Sequence, residues 1–281
     1  MKIIYKISLV IMLLSASVVS KAQFTLQPSI GFGSQSLKYK YNNATVEGST
    51  GISFGADLFY YVTEDFAVGS GVRVSSYKAT ATIGDYSFTD TGIDKDGDAY
   101  DLTKSMLGVS ETHSLSAIEI PILARYQKWV TGSVILFGAT GPVFIVPGSV
   151  KTEFDSGTLS TSGYYENWNL TIDEAEEYGF GSRNLVGTEP ELKSKMGLAW
   201  AVEVGAEYFI NKRLNLMLTA YFQPGLTSVL ESNSEEIISA PFAFNGSMSG
   251  APDVKISKIG IRLGINFDLT PPDKASIRSI R

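Results

Sequence analysis

Apolar residues recur at every second position through eight separate stretches of this chain. A β-strand alternates its side chains between two faces, so this period predicts strands with one apolar face and one polar face. The clearest stretch is Leu115 to Trp129. There Ile118, Ile120, Ile122, Ala124 and Tyr126 share one parity, and Glu119, Pro121, Leu123, Arg125 and Gln127 share the other. The remaining strands are expected at Phe24–Tyr39, Gly51–Val62, Phe66–Val74, Val134–Pro147, Met196–Ile210, Leu214–Leu226 and Ile256–Leu269. Three of the connections are short and polar, at Thr63–Asp65, Val130–Ser133 and Asn211–Arg213, and they alternate strictly with four long ones.

Two all-β architectures fit such a ladder. A water-soluble barrel of the lipocalin kind, or a sandwich, turns its apolar parity inward. An outer-membrane barrel turns it outward to lipid, with an even strand count, short periplasmic turns and long extracellular loops. Parity alone does not choose between them. The second parity is rich in glycine and ionisable residues, and the loop lengths alternate strictly. Aromatics also gather near the short turns, at Tyr60, Phe66, Tyr126, Trp129, Tyr208 and Phe267, as an interfacial girdle requires. These features favour an eight-stranded, up-and-down antiparallel transmembrane barrel over residues 23–269, with both termini in the periplasm.

The N-terminus supports export. Lys2 and Lys6 precede an apolar run from Ile7 to Leu14, and Ser20-Lys21-Ala22 forms a small-x-small cleavage site. A spanning helix needs about 20 apolar residues, so residues 1–22 read as a signal peptide. Residues 270–281 read as a periplasmic tail, opening on Pro271-Pro272 and carrying Arg278 and Arg281. With no cysteine, thiol catalysis, thiolate metal sites, disulfides and a lipidated N-terminal cysteine are all excluded. The net charge of −6 argues against nucleic acid as a partner.

The strand Ile118-Glu-Ile-Pro-Ile-Leu-Ala-Arg-Tyr126, the segment Phe137-Gly-Ala-Thr-Gly-Pro142 and the signal ending Lys21-Ala22-Gln23 resemble the outer-membrane β-barrel family of the Bacteroidota, which includes PorT-like and OmpA-like transmembrane barrels. The resemblance covers nearly the whole mature chain and implies a fold more than a function. Members serve diverse roles, some in secretion or surface attachment. Two features depart from the family pattern: a long connection from Ser149 to Lys195, and a chain that continues past the aromatic end of the last strand at Phe267.

Four groups of residues are candidates for chemistry. The inner parity would collect Asp57, Arg73, Glu119, Arg125, Glu203, Glu207, Lys258, Arg262 and Asp268. Ionised groups shielded from water need partners, and these nearly balanced signs predict a paired network filling the lumen; the other reading is an ion or proton path. Asp94, Asp96 and Asp98 resemble the opening of an EF-hand calcium loop, although Ala99 stands where glycine belongs and Ser105 where the bidentate glutamate belongs. The expectation is an acidic solvated loop, with a weak calcium site as its alternative and no other cofactor. The single histidine, His113, lies near Ser110, Glu111 and Ser114, a constellation that a rim-sited outer-membrane hydrolase would use. Tyr164, Tyr165 and Trp168 would pack over the barrel mouth or anchor a ligand or partner, and Ile172–Tyr178 would form a short helix. Ala240 to Phe244 in the fourth loop carries the same ambiguity.

The chain is therefore expected to be a non-enzymatic barrel that contacts outer-membrane lipids. Its acidic loops would serve surface presentation or an envelope complex such as a secretion machine. Narrow-pore transport of ions or small solutes is the alternative, and a hydrolase the remoter one.

Overall fold

In the computed structural model, antiparallel hydrogen bonding passes from strand to strand until it returns to the first. The structure describes residues 23–41, 43–188, 192–211, 213–231, 238–240, 243–244 and 246–269. The expected signal peptide and tail lie outside them. Eight strands form the ring: β1 (Gln23–Lys38), β2 (Thr50–Tyr61), β3 (Phe66–Ile83), β4 (Ala99–Thr131), β5 (Val134–Tyr165), β6 (Gly197–Asn211), β7 (Leu214–Pro224) and β8 (Lys255–Asp268). Each pairs with its sequence neighbours, and β8 closes on β1 through registers such as Leu26↔Phe267 and Leu37↔Ile256.

The faces are inverted relative to a water-soluble barrel. On β4, Ile118, Ile120 and Ile122 are 37–50% exposed, while Glu119, Leu123 and Arg125 are at most 2% exposed. Val72 and Val74 on β3, Val202 and Val204 on β6, Leu216 and Leu218 on β7, and Ile259 and Ile261 on β8 complete the outward belt. The expected inward and outward parities hold on all of these strands.

Above the belt the structure departs from expectation. Strands β4 and β5 run to 33 and 32 residues, and β3 continues to Ile83. The expected ends were Val74 for β3, Leu115 for β4 and Pro147 for β5. The extensions build a tall sheet at the loop end, widened by Tyr86–Ile93 paired to β4 and Ala44–Gly48 paired to β3. On the far side, Leu170–Ile172, Gly181–Asn184 and Gly187–Thr188 pair with β5. Runs such as Thr103-Lys104-Ser105 carry strand-forming hydroxyl side chains but no apolar parity, so a search for period two passes over them. At about 3.4 Å per residue, the part of β4 beyond the belt, from Ala99 to Ala117, extends for roughly 65 Å along the strand.

Two further expectations are corrected. Ile172–Tyr178 is not a helix: only single 3-10 turns occur, at Glu166–Trp168 and Glu176–Tyr178. Trp129 does not belong to the outer girdle. It falls on the inward parity with Gln127, pairs with fully buried Ile135, and stacks on Phe209 at 4.7 Å near the turn end.

The interior is layered. Charged groups fill the turn half, and an apolar plug follows toward the loop end. Leu37, Tyr77, Leu115 and Ile145 supply the plug from the wall, and Val229, Leu230, Met248 and Val254 supply it from the fourth connection folded inward. A smaller cluster of Ile83, Met106, Val109, Phe154, Leu159 and Leu185 stiffens the tall sheet.

Candidate functional site

Three polar constellations lie along the barrel axis, and the lumen holds the largest. At its centre, Glu203 on β6 accepts from Arg73 at 2.7 Å and from Arg262 at 2.9 Å. Arg73 also grips Asp57 on β2, with Nε at 3.1 and 3.2 Å and the second terminal nitrogen at 2.8 Å. This grip needs room that only glycine leaves. A Cβ at Gly71 would stand 2.2 Å from the Asp57 carboxylate, and one at Gly55 would stand 2.6 Å from Arg73 Cγ. Toward the loop end, Glu119 accepts from Lys258 at 2.6 Å, Gln223 at 3.2 Å and the Tyr77 hydroxyl. Toward the turns, Glu207 accepts from Arg125, from Asn215 at 3.1 Å and from Asn266 at 3.0 Å. Arg125 lies 3.8 Å over the Phe137 ring.

Eight of the nine inner-parity residues are thus brought together, and all eight are at most 5% exposed. Four cations, Arg73, Arg125, Lys258 and Arg262, face four anions, Asp57, Glu119, Glu203 and Glu207. The ninth, Asp268, is half-buried at the turn-end mouth and receives a bond from Gln23. The amides and the tyrosine that complete the network carry no charge, which is why a search for ionisable residues missed them. Their inward parity was the available signal.

The second constellation holds His113. Glu111 and His113 on β4 are fully buried, with His113 Nε2 at 3.1 Å from the Glu111 carboxylate and Nδ1 at 2.9 Å from Thr152 Oγ1. Ser247 of the fourth connection joins them: its N–H donates to Glu111 at 2.9 Å, its hydroxyl bonds the same carboxylate, and Tyr39 O–H lies 3.0 Å from Ser247 Oγ. Burial and the Glu111 charge raise the Tyr39 pKa. A nucleophilic serine needs a base on its hydroxyl. Here Ser247 bonds the Glu111 carboxylate and not His113, whose Nδ1 meets Thr152, and the Ser247 hydroxyl is fully buried, with no surface open to a substrate. The cluster clasps the fourth connection to the sheet. Neither Ser110 nor Ser114 bonds His113, and Ser247, distant in sequence, gave no local signal.

The third constellation is the tip of the tall sheet. Asp94 accepts from the backbone N–H groups of Asp96 and Asp98, each at 2.9 Å, and from Tyr165 O–H at 3.1 Å. Tyr178 O–H bonds Asp96 at 3.1 Å, and Lys95 reaches Glu177 at 3.1 Å. The Asp98 N–H, with Tyr165 and Asp96, holds the Asp94 carboxyl below its ordinary pKa. Burial and the Asp94 carboxylate push the Tyr165 hydroxyl up to about 12. Among the described residues no group of three or more His, Cys, Asp or Glu converges as a metal cage. Asp94, Asp96 and Asp98 form a turn tied to the third connection. The aromatics divide: Tyr165 is buried between Tyr100 and Trp168, at 5.3 and 5.2 Å, while Trp168 is 56% exposed. Tyr164 bonds Asn169 at 2.9 Å on the outer surface. Of Ala240 to Phe244, the described residues form a small hairpin between Ile238–Ala240 and Ala243–Phe244.

No protein-family model matches the chain, and no curated protein does. Among solved structures, the chain is similar to Neisserial surface protein A, with 10% identity over 88% of this chain and 99% of that one, and a TM-score of 0.39. It is also similar to the attachment invasion locus protein Ail of Yersinia pestis in complex with a heparin analogue, with 11% identity, coverage of 87% and 99%, and a TM-score of 0.32. An anion-selective porin from Comamonas acidovorans follows with 8% identity, coverage of 89% and 100%, and a TM-score of 0.18. Likeness at this level carries no functional inference; the barrel is established by its own closed strand pairing.

Proposed function

We propose that this chain is a non-enzymatic outer-membrane β-barrel that holds a tall contact surface outside the cell, as a surface protein or as a subunit of an envelope complex. The apolar belt would sit in lipid, and the short turns with both termini would face the periplasm. The observation that carries this reading is the length of β4 and β5, 33 and 32 residues. About 9–11 tilted residues span a bilayer. The excess is therefore available for contact beyond it, while the lumen is filled by its own side chains. Loop acidity and the net charge of −6 suit a protein partner rather than nucleic acid.

The test is a gentle detergent pull-down of the tagged chain from outer membranes, repeated with the tip variants Trp168→Ala and Ile93→Asp, both at exposed side chains. A stoichiometric partner recovered with the wild type and lost with the variants supports the reading. Undiminished recovery with both variants sinks the tip as the contact surface. In planar bilayers the wild-type barrel is expected to give no steady conductance, because paired charges and the apolar plug block the axis; a stable open channel would favour narrow-pore transport instead.

A further inference from the structure

Just above the apolar belt, the outer wall of β3, β4 and β5 changes character in register. Val74, Ile118 and Val146 form the last apolar row, at 38–49% exposure. Ser76 and Ser116 follow, and the next row is Lys78 on β3, Ser114 on β4 and Lys151 on β5, paired Lys78↔Ser114↔Lys151. The row after that carries Thr80, Thr112 and Glu153, with Glu47 beside Thr80. A groove of about 530 Å³ opens at the lysine row, lined by both lysines and by Ser76, Ser114, Ser116 and Ser149. All of these side chains are exposed, and among the described residues neither lysine forms an ion pair.

We propose that this groove binds a phosphate on the headgroup of an outer-leaflet lipid, the phosphorylated glucosamine of a lipopolysaccharide. The inference rests on the outer-membrane reading above. Depth selects the ligand: the cations stand two outward-facing rows beyond the last apolar row, four residues along β3, at headgroup level, and the acids stand one row further out, where they repel an anion approaching from the aqueous side. Strands lie about 4.8 Å apart, so two lysines flanking one strand are roughly 10 Å apart at Cα. Their flexible stems let both ammonium groups close on one phosphate, with Ser114 and Ser116 hydroxyls between them. The acyl chains of the same lipid would lie along Val74, Ile118 and Val146.

The experiment places the barrel in nanodiscs and titrates lipopolysaccharide carrying phosphorylated lipid A, reading thermal stability by the heat-modifiable gel shift. The same lipid with its phosphates removed, and inorganic phosphate over plain phosphatidylcholine discs, are run alongside. Phosphorylated lipid A is expected to raise the Tm, and the other two are not. Lys78→Gln and Lys151→Gln should each raise the half-saturating lipid fraction about fivefold. Lys128→Gln, an exposed lysine at the turn end, should leave it unchanged. Equal stabilisation by the dephosphorylated lipid, or full stabilisation of the double variant, overturns the site. Stabilisation by inorganic phosphate alone reassigns it to a free anion. A chain that enters no bilayer overturns the membrane reading itself, whereas insertion without phosphate dependence overturns only this proposal.

Discussion

Glu203 is the residue on which the lumen turns, since two arginines share its carboxylate and one of them also holds Asp57. Glu203→Gln leaves the arginines with a single carboxylate between them. Removing one partner of a buried ion pair typically costs about 3–5 kcal/mol. A loss of that size is expected in denaturant unfolding of the reconstituted barrel. Asp268→Asn, at the half-buried mouth, should lose about 1 kcal/mol or less, as for other partly solvated pairs. The charged half of this network was legible because parity and charge can be read together along each strand. Asn215, Asn266, Gln223 and Tyr77 were not, because an amide on an inner face looks like filler until a carboxylate is placed beside it. Ser247 was invisible for a different reason: its partner lies on β4, and nothing local announces so distant a contact.

At the scale of the element, β4 passes through two environments along one strand. Ile122 belongs to the apolar belt and Leu107 to the tall sheet, and both are exposed. Arginine at Ile122, midway along the belt between Ile118 and Tyr126, is expected to impair assembly, because a cation near a bilayer midplane costs about 2–4 kcal/mol. Arginine at Leu107 should change stability by no more than about 0.5 kcal/mol, as at other solvated positions. Equal tolerance, scored by the heat-modifiable fraction in outer membranes, would undo the placement of the belt. The same contrast explains what the sequence concealed. Alternation is strong where one face meets lipid and fades where both meet water, so the wall inside the belt was readable and its extension was not.

The tip hairpin has its own pH dependence. The folded tip lowers the Asp94 pKa, so its contribution is present above the unfolded value, about 4, and is lost as pH falls through the folded one. Amide protection factors over residues 93–100 should stay constant from neutral pH to about 5 and fall below about 4; Asp94→Ala should show the lowered protection already at neutral pH. Unchanged protection in that variant would mean the turn is held by other contacts. The raised Tyr165 pKa acts at the opposite extreme: its contribution is full below the unfolded tyrosine value of about 10 and fades as pH rises through about 12.

For the whole molecule, the closed ring, strand count and facing were predictable from alternation and loop lengths. The filling of the loop-end mouth was not, because the plug draws on Val229, Met248 and Val254 from a connection without periodicity. The long β4–β5 ladder also has a mechanical meaning. Its two strands run unbroken in sequence from the turn end to the tip, joined by Gly132 and Ser133 alone. Antiparallel hydrogen bonds lie across the strands. A partner tugging on the tip along the barrel axis therefore loads many bonds at once in shear, instead of peeling them one by one. The force arrives in the barrel wall, so the tall sheet works as a tether anchored along its whole length.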